Sequence, residues 1–182
     1  MSLEVVNAVG SGDLGIEIDL NQLRADIRDV EFDPNKYPGA YVRLGEVEPL
    51  ITVYRTGKYI VTGSKSEEEA YECRKLFLDL LYNNGVLDSP DDEWFSMQNY
   101  VCTGELDQVQ NLNALAIGLG LESTEYEPEQ FPGLVFRPDD HPVVILIFAS
   151  GKVVVTGAKD INATEEAFQS LKMDLDALVK CE

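Results

Sequence analysis

Histidine is almost missing from this chain. His141 is the only one in 182 residues. Cysteine is also scarce: Cys73, Cys102 and Cys181 lie far apart, form no C-x-x-C pair and have no histidine beside them. That spacing excludes the usual zinc sites and a disulfide framework, and free thiols in a reducing, cytoplasmic setting are expected. Long apolar runs are absent. The longest, Val143 to Ala149, is the length of a strand, so no contact with a membrane is expected. The opening stretch, Met1-Ser2-Leu3-Glu4-Val5-Val6, has neither the charged nor the apolar segment of a secretory leader. There is no Gly-rich phosphate loop, no nucleophile motif and no metal-ligand spacing, only scattered carboxylates, so neither an enzyme nor a cofactor is expected. The run Asp139-Asp140-His141 reads as the tip of a hairpin rather than an acid/base pair.

Positive charge is the next shortage. Fourteen Lys and Arg face thirty-three Asp and Glu, a net charge of −19. Taken alone, this argues against nucleic acid, because phosphate binding normally leaves a basic footprint. The acids are spread through the chain, as in Glu67-Glu68-Glu69, Asp91-Asp92-Glu93, Asp139-Asp140 and Glu165-Glu166, and not gathered in a tail. A solvated acidic surface of this kind suits molar salt, where a Debye length of ~3 Å screens self-repulsion. The 45% hydrophobic and 9% aromatic content is that of a globular protein with a sizeable core.

What the chain has in abundance is itself. Pro34-Asn35-Lys36-Tyr37-Pro38-Gly39 matches Pro128-Glu129-Gln130-Phe131-Pro132-Gly133, Arg43 matches Arg137, and Tyr54 matches Phe148. The segment Gly57 to Lys65 matches Gly151 to Lys159, with the Thr-Gly pairs Thr62-Gly63 and Thr156-Gly157 aligned. All share one offset of 94 (131 − 37, 148 − 54, 156 − 62). Asn7-Ala8-Val9 and Asn99-Tyr100-Val101 correspond at an offset of 92. Two copies of one unit are therefore expected, residues 1–90 and 91–182.

Each copy reads alike. An extended segment (Leu3 to Ser11; Phe95 to Gly104) precedes a helix whose start is marked by Asp19-x-x-Gln22 or Asp107-x-x-Gln110, with apolar positions Leu20, Leu23, Ile27 and Leu112, Leu115, Leu119. A Pro-Gly corner leads into three strands (Ala40 to Leu44, Leu50 to Tyr54, Lys58 to Gly63, and their equivalents), the last two joined through Thr56-Gly57 or Ser150-Gly151. A longer helix closes each copy. Ser66-x-x-Glu69 caps the first, with Ala70, Cys73, Leu76, Phe77, Leu80 and Leu81 as core positions. The second runs from about Thr164, with Phe168, Leu171, Leu175, Leu178 and Val179 inward. The class is α+β, with antiparallel strands on one side and helices on the other.

Helices on one face leave the other open. Strand alternation puts Ile60 with Thr62, and Val154 with Thr156, on that side. Small apolar groups interleaved with hydroxyls fit either the shallow minor groove of DNA or a further protein surface, and alternation does not choose between them.

The doubled pattern, F-P-G followed by I-F-x-S-G-K-x-V-x-T-G-A-K, resembles the TATA-binding protein family over essentially the whole chain. The second copy carries it most closely, through Phe131-Pro132-Gly133 and Ile147-Phe148 to Lys159. The resemblance, to the archaeal and salt-adapted branch, implies a curved antiparallel saddle with helices on its convex face. It implies a general transcription initiation factor that bends double-stranded, A·T-rich promoter DNA from the minor groove. Asn7 and Asn99, with Thr62 and Thr156, would meet base acceptors, and Val9, Ile60, Val101, Leu146 and Val154 would make apolar contacts. Phe131 and Phe148 would wedge into a base step at one end, Tyr37 and Tyr54 at the other, supported by Pro132 and Pro38. Arg43, Lys58, Lys65, Arg137, Lys152 and Lys159 would contact phosphates, which places six of the fourteen basic residues along the DNA. Transcription factor B would dock around Glu127 and Glu129, and RNA polymerase would follow indirectly.

The first copy departs from the pattern. It has tyrosines where relatives carry phenylalanines, Thr52 in place of Leu146 and Arg55 in place of Ala149. The closing helices carry acids (Glu67, Glu68, Glu69, Glu72; Glu165, Glu166, Asp174, Asp176) where many relatives are basic. The alternative is a diverged paralogue, a protein-interaction or promoter-specific module that binds DNA weakly.

Overall fold

The computed structural model describes residues 3–45, 49–90, 94–108 and 110–179. Cys181 and the Asp91-Asp92-Glu93 run lie outside the described residues, and the side chain of Val179 is likewise not described. The chain divides into two compact units: residues 7–98, and residues 99–179 together with 3–6. No described helix is long and apolar enough to cross a membrane.

In the first unit the elements run β1 (Glu4–Asp13), α1 (Leu20–Asp26), β2 (Val30–Glu31), β3 (Gly39–Arg43), β4 (Leu50–Tyr54), β5 (Lys58–Ser64) and α2 (Glu67–Asn83). Their strands pair antiparallel in the order β2-β3-β4-β5-β1. The second unit repeats this with β6 (Phe95–Glu105), α3 (Leu112–Gly118), β7 (Thr124–Glu125), β8 (Leu134–Phe136), β9 (Val144–Ile147), β10 (Lys152–Thr156) and α4 (Ile161–Val179). Its order is β6-β10-β9-β8-β7, also antiparallel. The α+β class and the tandem repeat are as expected. The two-residue strands β2 and β7 were not, because two residues are too short to show alternation.

Backbone hydrogen bonds follow the sequence repeat. Arg43 N donates to Asp29 O at 3.1 Å and Arg137 N to Ser123 O at 2.9 Å, the same bond 94 residues on. Tyr37 N donates to Asp33 O, and Phe131 N to Glu127 O. Gly57 N closes its hairpin on Tyr54 O, and Gly151 N closes the other on Phe148 O, each at 2.9 Å. Both glycines have positive φ, +85° and +89°, a conformation that a Cβ would strain.

The core of each unit lies between its helices and one sheet face. In the first, Val42, Ile51, Val53, Tyr59 and Val61 of the strands and Phe77 and Leu81 of α2 are all buried, and the Tyr59 and Phe77 rings pack 5.2 Å apart. In the second, Leu134, Ile145, Ile147 and Val155 meet Phe168 and Leu171 of α4. Each side chain so buried contributes roughly 1.5–3 kcal/mol before the entropy of ordering is counted.

Three helix details differ from expectation. Leu76 is 47% exposed, and Leu78 is buried instead. At about 100° per residue, Ala70, Cys73, Phe77 and Leu81 share a face from which Leu76 is turned well away. The helix α3 is capped by Asn111, whose Oδ1 accepts from Ala114 N at 3.2 Å, and not by Asp107. Leu106 N and Gln110 N are committed to Gly151 O and Ala149 O, which ties this stretch to the β9–β10 hairpin and delays the helix. The helix α4 starts three residues before Thr164, at Ile161, where Asp160 accepts from Asn162 N at 3.0 Å. At α1 and α2 the expected caps are present: Asp19 accepts from Asn21 N and Gln22 N, and Ser66 accepts from Glu69 N.

Candidate nucleic-acid interface

On β5 the side chains of Tyr59 and Val61 are buried against helices, while Ile60 and Thr62 are half-buried on the other face. On β10, Val153 and Val155 are buried, and Val154 and Thr156 occupy the other face. Strand register extends these into rows. In the first unit Tyr41, Thr52, Ile60 and Ser11 stand side by side, as do Arg43, Leu50 and Thr62. In the second, Val135, Leu146, Val154 and Thr103 form the matching row, with Val144, Thr156 and Val101 beside it. Val9 sits where the β1–β5 register shifts, between Ala8 and Gly10.

An asparagine borders each set. Asn7 Oδ1 accepts from Gly63 N at 2.8 Å, and Asn99 Oδ1 accepts from Gly157 N at 2.8 Å. Asn99 also engages the hydroxyl of Thr156, at 3.2 and 3.3 Å. The glycine N–H demands an acceptor, so each carboxamide is oriented with its oxygen inward and its nitrogen outward; a second N–H proton of Asn99 Nδ2 is left beyond the one facing the Thr156 hydroxyl.

The aromatic pairs rest over glycines. A Cβ on Gly133 would lie 2.8 Å from the Phe131 ring and 3.1 Å from the Phe148 ring. A Cβ on Gly39 would lie 3.0 Å from both Tyr37 and Tyr54. Phe131 and Phe148 meet edge to face, with centroids 5.8 Å apart. Tyr37 and Tyr54 join through their hydroxyls at 2.6 Å, and Tyr37 stacks on Tyr41 at 5.4 Å. The hydrogen bond that the neutral Tyr54 hydroxyl donates to Tyr37, aided by burial, pushes the Tyr54 phenol up to about 12. Pro38 and Pro132 are exposed beside these rings.

The basic side chains lie exposed at strand ends and turns. Lys58 pairs in register with Asp13, and Lys152 with Glu105. Arg43 and Arg137 end β3 and follow β8, and Arg137 Nε is 3.6 Å from Glu125. Lys65 and Lys159 follow the Thr-Gly pairs at the ends of β5 and β10 and are exposed, with Lys65 N donating to the Glu69 carboxylate. Glu127 and Glu129 are exposed in the turn before Phe131, where the Gln130 side chain donates to the Glu127 carboxylate.

Several residues on this surface carried no motif. Tyr41, Val135, Ser11, Thr103, Leu50 and Val144 share it by register alone, and the offset of 94 pairs Tyr41 with Val135. Trp94, 74% exposed, lines a hollow with Tyr54, Lys58 and Ile60. The equivalent hollow in the second unit has Phe148, Lys152 and Val154, with Glu4 at its side.

Two copies of one α+β unit, each with an open apolar sheet face edged by cations, define a tandem-repeat sheet protein. The sequence matches the family described as "Transcription factor TFIID (or TATA-binding protein, TBP)" over residues 2–84 and 94–178. The chain belongs to the TATA-binding protein family. It is 52% identical to "TATA-box-binding protein C" of Halobacterium salinarum, over 98% of this chain and 100% of that protein. It is 43% identical to the "TATA-box-binding protein" of Archaeoglobus fulgidus, over 97% and 96% of the two chains. Among solved structures, "Methanococcus jannaschii TBP" is similar with a TM-score of 0.82 and 39% identity, over 99% of both chains.

Proposed function

We propose that the chain serves archaeal transcription initiation by binding A·T-rich promoter DNA through the minor groove and bending it. Bent DNA then recruits transcription factor B and, through it, RNA polymerase. The observation that carries this reading is the pinned carboxamide, present once per unit. Asn7 and Asn99 present N–H donors beside apolar side chains, and the minor-groove edge of A·T pairs offers only acceptors and no protruding amino group.

The repeats 1–90 and 91–182 act as two grips. Val9, Ile60, Val101, Leu146 and Val154 pack along the groove floor, and Thr62 and Thr156 flank the asparagines. Phe131 and Phe148 wedge into a base step, an insertion that costs least at pyrimidine–purine steps. Arg43, Lys58, Lys65, Arg137, Lys152 and Lys159 hold phosphates, and Glu127 and Glu129 present an acidic turn to transcription factor B. Tyr37 and Tyr54, backed by Pro38, face the other end of the site.

A duplex carrying a dye pair on its ends, titrated in molar KCl, tests the reading. A·T-rich duplexes bind with a rise in energy transfer, and Phe148→Ala loses most of that rise while keeping encounter. Equal affinity for scrambled duplexes, with no change in transfer, would sink the proposal. The rival is a diverged paralogue, a protein-interaction or promoter-specific module with weak DNA binding, favoured by the tied tyrosines and the buried Thr52 of the first unit. It predicts factor B binding that needs no DNA.

A further inference from the structure

The two aromatic pairs are built on the same turn and over the same glycine, yet they are held differently. Phe131 and Phe148 meet edge to face over Gly133, and Val135 occupies the neighbouring register position. In the first unit that position is Tyr41, whose ring lies 5.4 Å from Tyr37 with only 10° between the planes. Tyr37 is bonded a second time, hydroxyl to hydroxyl, to Tyr54. Thr52 lies in register with Tyr41 and is 7% exposed, while Leu146, its counterpart beside Val135, stays half-exposed. Tyr37 and Phe131 are nearly equal in exposure, 36% and 37%, so the two pairs differ in their resting contacts: a parallel stack and a hydroxyl bridge hold the tyrosines, and an edge-to-face contact holds the phenylalanines.

Insertion between bases demands that a ring leave its resting contacts. For Phe131 and Phe148 those contacts are apolar and are replaced by base faces. Tyr37 must give up a parallel stack and a phenol–phenol bond, and its hydroxyl then enters an apolar stack where it has lost its partner.

We propose that Tyr41 is a positioning residue which, with the Tyr37–Tyr54 bridge, latches the first-repeat aromatics against the sheet, so that wedging is confined to Phe131 and Phe148 and DNA is bound in one preferred direction. This rests on the DNA-binding reading above. The preferred ligand is then an asymmetric A·T-rich duplex, with its most easily unstacked step under the second repeat and a stiffer step under the first.

The test places 2-aminopurine, which brightens on unstacking, at the step under either repeat in one asymmetric duplex. With the wild-type protein, the rise at the second-repeat step exceeds that at the first by about fivefold, the scale of one hydrogen bond or ring stack. In Tyr41→Val/Tyr54→Phe, which installs the second repeat's own residues at matching positions, the first-repeat step brightens to match and the directional preference is lost. A cleavage reagent tethered to one end of the protein reads that preference directly. The single variant Tyr41→Val retains the phenol bridge and gives an intermediate response. Binding with equal brightening at both steps in the wild type, or a double variant that still brightens one step only, overturns the latch and leaves the DNA reading standing. No binding of A·T-rich duplexes by the wild type overturns both.

Discussion

Each glycine N–H that claims an asparagine oxygen decides what that side chain offers to the outside. Asn99→Asp retains the acceptor for Gly157 N, removes the N–H donors and adds a negative charge to the open sheet face. Binding of an A·T-rich duplex is expected to weaken by at least about tenfold, the scale of one base contact, with melting little changed. Retained affinity would place the carboxamide outside the contact. The Tyr37–Tyr54 bridge gives a second test at this scale. Tyr54 ionises near 12, above the ordinary phenol value of 10, because its neutral form is hydrogen-bonded. The stability from this bond is complete below about pH 10 and is lost as pH rises through 12, since the folded state holds the proton longer. A phenolate absorbance titration should show one late-ionising tyrosine, and Tyr37→Phe should return it toward 10. The thiols add a third. Burial raises both Cys73 and Cys102 to about 11, so in a Cys181→Ser background neither should react with a thiol reagent at pH 8 until the protein unfolds.

Among the elements, helix caps and faces separate what the sequence showed from what it hid. Asn111→Ala should cost about 1 kcal/mol in denaturant melts and Asp107→Ala a few tenths, the reverse of the expectation from Asp107-x-x-Gln110. Phe77→Ala should cost about 3–5 kcal/mol and the exposed Leu76→Ala well under 1 kcal/mol. The repeat was legible from its single offset of 94, and the strand faces because Ile60, Thr62, Val154 and Thr156 obey a two-residue period locally. The start of α3 was not, because the bonds that hold residues 106 and 110 come from a hairpin some forty positions away. Tyr41 was missed for a related reason. It matches no motif, and only the register of β3 against β4 puts it on the surface with Thr52 and Tyr37. The pinned carboxamides, too, need Asn7 to meet Gly63, a contact between distant segments.

At the scale of the whole molecule, charge and repeat pull against each other. A net charge of −19 repels phosphates, while six of the fourteen cations are the residues proposed to hold DNA. Six phosphate contacts alone predict that log affinity falls with log salt at a slope of about −5. Repulsion from the remaining acids, itself screened by salt, should make the slope shallower or invert it. Equilibrium titrations from 0.3 to 3 M KCl, roughly spanning Debye lengths from ~6 to ~2 Å, measure this directly. A slope near −5 with no recovery at high salt would show the acids to be silent.

The central claim is that the open faces read the minor groove. Duplexes in which inosine–cytosine replaces A·T keep the minor-groove acceptor pattern and change the major-groove one, whereas G·C adds the amino group that blocks the groove. In molar KCl the protein should bind the inosine–cytosine duplex within a few-fold of the A·T duplex and lose the G·C duplex. If inosine–cytosine is rejected along with G·C while A·T is bound, the contact lies in the major groove and the account is contradicted.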